Sequence, residues 1–514
     1  MTDDTDLRRI VVAGAGMVGT RFAADLVALD REGRFDVTVL GEEPYEPYNR
    51  ILLAEVVAGT VEVASLTMPD VVGPRVRVHR GAPVTEVDRV RRRVRTAQGL
   101  ELSYDLLVLA TGARARVPAV QGMDVGPDGG LPAGVHALRN IDDCREIVAA
   151  SVNARRAVVL GGGLLGIEAA RGLSLRGLDV TVLHAAGHLL ERQLDPEAAA
   201  VLRAAAGDLG MDVVTDAAMT EVLTDGGRLR GLRLADGRDV AADLLVLAIG
   251  VVPATELAAS CGLTVERGVV VGADLRSRDD AYVAAIGDCA QPPQGGTGLV
   301  ADGWAQARRL VEQLTGTPGR APVLDGNGGV VALKAADLHV VTMGRLAVPG
   351  DRAVRLSDMA GRRHVEVVVR DGLLAGARCV GAPDVAADLT VTFDRGTPLP
   401  LDPAHLLLRM PAGGATPDVA SPTLMPDRAT VCRCNGVTKR DLIQAWSDGC
   451  STVDAVAERT RATTGCGSCA DAVCGVLDWL RQADPPSSQP TDRAGEEVVA
   501  VGKRRATVAE TPGS

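Results

Sequence analysis

The feature that most constrains this chain is the glycine motif GxGxxG, which occurs twice between a short apolar strand and a helix. The first copy lies in Arg9–Leu40, where the β-branched run Ile10–Val12 leads into GAGMVG. In such a motif the first glycine allows a tight turn, the second lets backbone N–H groups approach a pyrophosphate, and the third lets the helix pack closely on the strand. The sequence therefore predicts a dinucleotide site at Gly14, Gly16 and Gly19.

The residues after the first motif have the pattern that such a site needs. Apolar side chains recur at helical spacing over 18–29, so one face of the helix can lie on a sheet. The N-terminus of that helix carries partial positive charge, which suits a diphosphate. A second strand, Val37–Leu40, is followed by Glu42 and Glu43. Because an acid at this place accepts a hydrogen bond from a ribose hydroxyl, we add Glu42 to the predicted site.

The second copy of the motif shows that the chain contains an internal repeat. Ala157–Leu160 is another short strand, GGGLLGIE follows it, and Val180–Leu183 is the next strand. Each copy then runs through hairpin-like segments into a closing strand, DLLVLATG over 105–112 and DLLVLAIG over 243–250. Two dinucleotide domains in one chain indicate two dinucleotides that exchange hydride, although a purely structural duplication would give the same pattern.

Composition narrows the class of protein further. A chain of 514 residues has room for three or four domains, and its formal charge of −11 argues against nucleic acid and anionic membranes as partners. No apolar run approaches the length of a membrane span, and the first residues are acidic, so we expect no signal peptide, no membrane segment and a cytoplasmic location. The oligomeric state is left open, with a homodimer as one candidate.

The order of the motifs carries a family resemblance. GAGMVG, LATG, GGGLLGIE, LAIGVVP and AIGDCA follow one another, and over residues 8–320 the chain resembles the FAD-dependent pyridine nucleotide-disulphide oxidoreductases. The resemblance implies that the first motif holds FAD and the second NAD(P)H, and that Asp288 hydrogen-bonds the flavin's ribityl chain. The implied FAD site comprises Gly14, Gly16, Gly19, Glu42, Arg50, Thr111, Gly112, Gly287 and Asp288. The implied NAD(P)H site comprises Gly161, Gly163, Gly166, Glu168, His184 and Gly250.

The sequence departs from that family at three places. The stretch after Glu43 contains no cysteine, which argues against disulfide reduction at the flavin. Glu55 stands where related ferredoxin-type reductases often carry lysine, and we regard it as a candidate flavin neighbour. The strand after Gly166 ends in His184 rather than in an acid, and no arginine stands beside it, so the choice between NADH and NADPH stays open.

Six of the ten cysteines fall between residues 432 and 474. Cys432 and Cys434 form CxC, and Cys466 and Cys469 form CxxC after a gap of 31 residues. Four thiolates at this spacing can bind a 2Fe-2S cluster or a structural zinc ion, or act as a redox dithiol, although CxC is tighter than the usual zinc spacing. Both pairs precede predicted helices, whose dipoles would offset the charge of a cluster.

The cysteine segment also resembles the bacterioferritin-associated ferredoxin type of 2Fe-2S domain, including GCSTVDAV over 449–456. That resemblance implies that all four paired cysteines are cluster ligands. We expect Cys450 and Cys474 to fill core or to lie near the cluster. The isolated residues Cys144, Cys261, Cys289 and Cys379 are typical of small buried hydrophobes.

These patterns together predict an α/β protein with two Rossmann-like domains, a small α+β domain and a small helical 2Fe-2S domain. The predicted boundaries are 1–120 with 248–322 for FAD, 121–247 for NAD(P)H, 323–408 for the α+β domain, 409–428 for a Pro- and Gly-rich linker, 429–483 for the cluster domain and 484–514 for a disordered tail.

PYNRILL and ERQLD narrow the resemblance to the flavoprotein half of assimilatory NAD(P)H nitrite reductase large subunits and to electron-transfer subunits of assimilatory nitrate reductases. The implied function is electron transfer from NAD(P)H through FAD and a 2Fe-2S cluster to a partner protein that reduces nitrite or nitrate, with no catalytic side chain assigned. Two alternatives stay open. One is a ferredoxin-reductase-like electron donor to an oxygenase, and the other is a non-catalytic redox-sensing or iron-handling protein.

Overall fold

The computed structural model describes residues 7–123, 130–317, 329–407, 422–432, 435–464 and 469–483. These residues divide into a large unit within Met1–Pro417 and Thr463–Ser468, and a small unit within Asp418–Ala462 and Cys469–Ser514. The predicted tail over 484–514 and most of the predicted linker lie outside the described residues. Within the part of the chain that is described, no helix combines the length and apolar composition needed to cross a bilayer.

The first stretch of the large unit contains the first glycine loop. Its elements are β1 (Arg8–Ala13), α1 (Met17–Leu29), β2 (Phe35–Leu40), α2 (Leu53–Ala58), β3 (Val76–His79), β4 (Val84–Asp88), β5 (Arg93–Thr96), β6 (Glu101–Ser103), β7 (Leu106–Leu109) and β8 (Ala113–Ala115). β1 pairs in parallel with β2 on one side and β7 on the other. Its residues Ile10–Val12 are at most 2% exposed, as expected for a parallel strand whose sheet is covered on both faces.

The second stretch repeats this arrangement around the second glycine loop. Its elements are β9 (Val135–Ala137), α3 (Ile141–Ser151), β10 (Arg156–Leu160), α4 (Leu164–Leu175), β11 (Asp179–Leu183), α5 (Pro196–Asp208), β12 (Met211–Val214), β13 (Met219–Asp225), β14 (Arg228–Leu234), β15 (Asp239–Ala241), β16 (Leu244–Leu247) and β17 (Val251–Pro253). β10 pairs in parallel with β11 and β16, as β1 does with β2 and β7. The dipeptides Asp225–Gly226 and Asp236–Gly237, a sequence typical of hairpin turns, join β13 to β14 and β14 to β15.

The third stretch returns the chain to the first sheet. Its elements are α6 (Glu256–Ser260), β18 (Val269–Val270), β19 (Val283–Ala285), β20 (Ala290–Gln291) and α7 (Val300–Thr315). The first sheet has the order β19-β7-β1-β2-β3, and the second has the order β12-β11-β10-β16-β9. Antiparallel pairing of β8 with β17 ties together the two connections that link the sheets. The first sheet is therefore formed by two segments of the chain, on either side of the segment that forms the second.

One expectation about this region is wrong. The alternation over 76–103 predicts hairpin strands throughout, and the turn at Gln98–Gly99 does join β5 to β6. β3, however, pairs in parallel with β2 at the edge of the first sheet. Val76 and Val78 pack against the core of that sheet while the intervening side chain faces outward. A half-buried edge strand alternates in the same way as a hairpin strand, so the periodicity does not distinguish them.

The last part of the large unit is an antiparallel sheet with one long helix. Its elements are β21 (Val331–Ala332), β22 (Val340–Gly344), β23 (Arg352–Asp358), β24 (Arg363–Arg370), β25 (Leu373–Val380) and α8 (Pro383–Arg395). The strand order is β21-β22-β25-β24-β23. Asp371–Gly372 forms the turn between β24 and β25, as the sequence predicts. The inner face of this sheet packs on α8, which gives the expected α+β fold.

The small unit is mainly helical. Its elements are β26 (Thr430–Cys432), β27 (Val437–Thr438), α9 (Lys439–Ser447), α10 (Val453–Thr460) and α11 (Ala470–Ala483). Thr438 and Asp441 form a reciprocal capping box that starts α9, as their spacing predicts. The apolar faces of the three helices share one core, which includes Leu442, Val456 and Leu477.

Candidate functional site

The first glycine loop has the shape of a pyrophosphate cradle. Gly14 has φ +122°, and a Cβ there would lie 2.1 Å from the carbonyl oxygen of Ala110. A Cβ on Gly19 would lie 2.0 Å from the carbonyl oxygen of Gly14, whereas a Cβ on Gly16 would meet nothing within 4 Å. The outer glycines are therefore required by the packing of β1, β7 and α1. The space beside Gly16, at the N-terminus of α1, is free for a ligand.

A cavity of about 1290 Å³ opens in front of this loop. Small-molecule sites usually enclose about 300–1,000 Å³, so this cavity has room for an extended dinucleotide. It brings together eight of the nine residues predicted for FAD, all except Gly19, which is packed behind the loop: Gly14, Gly16, Glu42, Arg50, Thr111, Gly112, Gly287 and Asp288. Val300, the first residue of α7, lines the same cavity, so the N-terminus of α7 faces it.

Two acids follow β2, and the structure distinguishes them. The phenol of Tyr48 donates a 2.7 Å hydrogen bond to Glu43, and the Arg50 guanidinium pairs with the same carboxylate. Glu42 is exposed and lines the cavity. Glu43 therefore anchors the loop after β2, while Glu42 lines the cavity and stays the candidate acceptor for a ribose hydroxyl.

Asp288 has a partner that no motif in the sequence marks. The Arg139 guanidinium donates to Asp288 Oδ2 at 2.8 Å and to the carbonyl oxygen of Ala113 at 3.0 Å. Arg139 also lines the cavity, and it directly precedes the Asn140–Asp143 capping box of α3. Because Arg139 and Asp288 are 149 residues apart, sequence reasoning missed this ion pair. The ion pair holds the Asp288 carboxylate in one orientation, as a hydrogen-bond acceptor for a ligand hydroxyl requires.

The second glycine loop repeats the geometry of the first. A Cβ on Gly161 would lie 2.4 Å from the carbonyl oxygen of Ala248, and one on Gly166 would lie 1.9 Å from that of Gly161. A Cβ on Gly163 would again meet nothing within 4 Å. The second loop therefore offers the same kind of space for a pyrophosphate at the N-terminus of α4. Gly250 has φ +94° in the turn after β16.

His184 is engaged by the protein itself. The residue is 9% exposed, its Nδ1 accepts a 3.0 Å hydrogen bond from the N–H of Gly162, and its Nε2 lies 3.1 Å from Glu191 Oε2. The ring therefore braces the glycine loop from behind, and both nitrogens have protein partners. A role for His184 in binding NAD(P)H stays a prediction, and this geometry makes any such role indirect.

Glu168 lies where three parts of the large unit meet. It projects from α4, and its Oε1 accepts a 2.8 Å hydrogen bond from the N–H of Lys334, next to β21. Burial raises the pKa of Glu168 to about 7, the Lys334 N–H and ammonium oppose that rise, and the nearby Glu55 carboxylate on α2 adds to it. α2 can approach α4 this closely because a Cβ on Gly172 would lie 3.1 Å from the backbone N of Ala58. Glu55 does not line the cavity.

The isolated cysteines are not reactive thiols. Cys144, Cys289 and Cys379 are at most 1% exposed, and burial raises the pKa of each, to about 12 for Cys144 and Cys379. Such thiols stay protonated at neutral pH and pack as small hydrophobes, as expected. Cys261 differs from the expectation because it is only partly buried, although burial still raises the pKa of its thiol.

Two of the four predicted cluster ligands are described. Cys432 at the end of β26 is 2% exposed, and Cys469 directly before α11 is 6% exposed; both belong to the core of the small unit. The carbonyl oxygen of Cys469 accepts the N–H of Val473, so Cys469 caps α11, where the helix dipole favours a thiolate. Cys434 and Cys466 lie outside the described residues.

The surroundings of the cysteine pairs suit a thiolate-bound cluster. The amide of Asn435 lies 3.7 Å from Cys432 Sγ, where its N–H can donate to a thiolate. Cys450 contacts the same core and is partly buried, as expected. Cys474 is exposed on α11, so it does not fill core, and the other expected place, near the cluster, stays a prediction.

Comparison with known proteins identifies the family. The pyridine nucleotide-disulphide oxidoreductase family model matches residues 8–309, and the BFD-like [2Fe-2S] binding domain model matches residues 430–479. The chain belongs to the pyridine nucleotide-disulphide oxidoreductases. It is therefore an NAD(P)H-dependent flavoprotein oxidoreductase whose cofactors are FAD, NAD(P)H and a 2Fe-2S cluster.

Among similar proteins, the nitrite reductase [NAD(P)H] large subunit of Klebsiella oxytoca is 36% identical over 91% of this chain and 49% of its own length. The assimilatory nitrate reductase electron transfer subunit of Bacillus subtilis is 29% identical over 97% of this chain and 64% of its own length. Rhodocoxin reductase of Rhodococcus erythropolis is 34% identical over 60% of this chain and 72% of its own length. The chain thus spans about half to two thirds of the nitrite and nitrate reductase relatives.

Solved structures show the same fold for the large unit. The ferredoxin reductase of Rhodopseudomonas palustris covers 77% of this chain with a TM-score of 0.64 and 26% identity. The covalent putidaredoxin reductase–putidaredoxin complex covers 78% of this chain with a TM-score of 0.67 and 24% identity. At 24% identity, the similarity to the putidaredoxin reductase complex shows only that the two proteins share a fold.

Proposed function

We propose that this chain takes electrons from NAD(P)H and passes them to a partner protein that reduces nitrite or nitrate. The observation that carries the proposal is the extent of the similarity. The Klebsiella nitrite reductase subunit and the Bacillus nitrate reductase subunit align with 91% and 97% of this chain, which includes the cysteine segment. Rhodocoxin reductase aligns with 60% of it. This chain, with its own cluster domain, therefore resembles the nitrite and nitrate reductase subunits more than it resembles rhodocoxin reductase.

The division of labour along the chain is part of this proposal. We assign FAD to 1–120 with 248–322 and NAD(P)H to 121–247. The sheets support this division of the chain, since β1, β7 and β19 form one sheet and β10 and β16 belong to the other. The order of the two cofactors follows from the family resemblance. The segments 323–408, 409–428 and 429–483 are the α+β domain, the linker and the cluster domain. The cytoplasmic location and the tail over 484–514 stay predictions.

The side chains of the first site bind and orient rather than react. FAD bound in this site would supply the acceptor for hydride and the donor of single electrons, and a 2Fe-2S cluster held by the four cysteines would supply a carrier of single electrons. Glu42 offers its carboxylate to a ribose hydroxyl, and Asp288, held by Arg139, accepts from a second ligand hydroxyl. Gly16 and Val300 lie at the N-termini of α1 and α7 and line the same cavity, and helix N-termini stabilise negative charge. No side chain of the site has to act as a nucleophile.

The cluster ligands in this proposal are Cys432, Cys434, Cys466 and Cys469. Cys466→Ser tests their role in electron delivery, with Cys474→Ser as the matched control because the Cys474 side chain is exposed on α11, within the same cysteine segment. Oxidation of NAD(P)H with ferricyanide, which takes electrons from reduced flavin, should survive in both variants. Electron delivery to the partner should fall to background in Cys466→Ser and stay near the wild-type rate in Cys474→Ser.

Other outcomes of this experiment would favour other functions. Loss of both activities in Cys466→Ser with flavin still bound, or loss of neither, would contradict the relay through the cluster. Fast reduction of an added ferredoxin but of no nitrite or nitrate reductase would favour an electron donor to an oxygenase. A protein that NAD(P)H reduces once but that does not turn over with ferricyanide would be a redox sensor.

A further inference from the structure

The two dinucleotide units differ at the end of their second strand, beside the glycine loop. Ala13 pairs with Leu40 in the first sheet, and Leu160 pairs with Leu183 in the second, so the two strand ends correspond. Gly41 and Glu42 follow Leu40, whereas His184 and Ala185 follow Leu183. Ala185 therefore corresponds to Glu42 of the first unit. Neither His184 nor Ala185 supplies the acid that usually binds the ribose at this strand end.

The space between the glycine loop and the strand end is filled from opposite sides in the two units. In the first unit the filling side chain comes from the loop, and in the second it comes from the strand end. In the first unit, a Cβ on Gly41 would lie 2.8 Å from the Ala15 side chain. In the second unit, Gly162 replaces that alanine, and a Cβ on it would lie 2.8 Å from Cγ of His184. The His184 ring thus fills the space behind the loop that Ala15 fills in the first unit. Its position is fixed by packing as well as by hydrogen bonds.

The His184 ring holds the side chain of Glu191 at the strand end through a hydrogen bond. Because Nδ1 accepts the N–H of Gly162, the neutral ring carries its proton on Nε2, which donates to Glu191 Oε2 at 3.1 Å. The segment that carries Glu191 is itself anchored, since the N–H of Leu190 donates to the carbonyl oxygen of Gly162 at 3.0 Å. The Glu191 side chain is 41% exposed, so its carboxylate is held at the strand end and remains open to a ligand.

We propose that Glu191 replaces the missing acid: its carboxylate accepts the 2′-hydroxyl of the adenosine ribose and thereby selects NADH over NADPH. The proposal rests on the proposed function, in which the second glycine loop holds the nicotinamide coenzyme. A 2′-phosphate would bring like charge against Glu191, which is already held by His184 and cannot swing away without losing that hydrogen bond. In this proposal the segment ERQLD, residues 191–195, selects the coenzyme through Glu191.

The test uses coenzyme fragments, so it does not depend on turnover. ADP-ribose and 2′-phospho-ADP-ribose are titrated calorimetrically into the full-length protein with its cofactors bound. Wild type should bind ADP-ribose at least about tenfold more tightly, the size of effect expected for one charge contact near the surface. Glu191→Gln keeps the length of the side chain and an oxygen for His184, so the loop should stay intact. This variant should lose most of the preference, chiefly by binding the phosphorylated fragment more tightly.

Arg192→Gln is the matched control, since Arg192 is the exposed neighbour of Glu191 and has the opposite charge. It should leave the preference for ADP-ribose unchanged or larger. The proposal is overturned if wild type binds both fragments equally or prefers the phosphorylated one, or if Glu191→Gln leaves the ratio unchanged. If Gly163→Val still binds ADP-ribose, or if wild type binds neither fragment, the assignment of the second loop fails, and the proposed function fails with it.

Discussion

Replacing Glu168 by glutamine removes a titrating carboxyl from the junction of α2, α4 and the α+β domain. Burial raises the pKa of this carboxyl from 4.5 to about 7, with Glu55 adding to the rise and Lys334 opposing it. A rise of this size means that ionising Glu168 costs the folded protein about 3 kcal/mol more than the unfolded chain. The figure is an upper value because the side chain is only partly buried.

The sign of the effect follows from the direction of the pKa shift. The stability contributed by protonated Glu168 is fully present below pH 4.5 and is lost as pH rises through about 7. Glutamine does not ionise, so it should keep the 2.8 Å hydrogen bond from Lys334, through its amide oxygen, at every pH. The variant should therefore match wild type in acid and exceed its stability in base.

The assay is the thermal midpoint of the holoprotein across this pH range. For a unit of this size, about 3 kcal/mol corresponds to a shift of about 3–4 °C. Glu168→Gln should therefore unfold close to wild type at about pH 5 and up to about 3–4 °C higher at about pH 8.5. Glu55→Gln should move the transition to lower pH, because it removes the charge that repels ionised Glu168. A difference between wild type and Glu168→Gln that does not change with pH, or that is larger in acid, would refute this reasoning.

Three further predictions concern the cofactor sites. Gly16→Val should yield folded protein without flavin, because the added side chain enters the open cradle, whereas Gly14→Ala should fail to fold, because its Cβ would lie 2.1 Å from a carbonyl oxygen. Flavin absorbance and circular dichroism distinguish the two outcomes. Full flavin content in Gly16→Val would mean that the two loops are wrongly assigned. Gly163→Val should keep FAD and lose NAD(P)H binding in a fluorescence titration, and loss of FAD instead would reverse the assignment. Absorbance spectra should show FAD and no haem, and metal and sulfide analysis should find iron and acid-labile sulfide. Zinc without sulfide would contradict a cluster at Cys432 and its partners.

What the sequence predicts well here depends on local geometry. Gly14 and Gly161 have positive φ in the tight turns that follow β1 and β10, and each lies close to the carbonyl oxygen of a residue on a neighbouring segment. Only glycine fits there, so the requirement is visible in the sequence as glycine at fixed spacing. The turn at Asp371–Gly372 and the capping box of α9 are predictable for the same reason, since each involves residues within a few positions of one another.

What the sequence does not predict depends on distant residues. The Arg139–Asp288 pair joins residues 149 apart, and the Lys334 N–H meets Glu168 across 166 residues. Neither Arg139 nor Lys334 lies in a sequence motif. The α+β domain shows no chemistry in its sequence, yet it supplies the N–H that Glu168 accepts. His184 illustrates the same limit: its position at the end of β11 is predictable, but whether it faces a ribose or the glycine loop depends on the packing of Gly162.

The measurement that tests the central claim most directly is a single-turnover reoxidation without oxygen. The protein is reduced with NADH, freed of excess coenzyme and mixed with a candidate nitrite or nitrate reductase subunit and its substrate. The account predicts that flavin and cluster absorbance return together with the consumption of nitrite or nitrate, and that Cys466→Ser blocks this return while ferricyanide still reoxidises the flavin. A protein that stays reduced with each such partner but is rapidly reoxidised by an added ferredoxin would contradict the account.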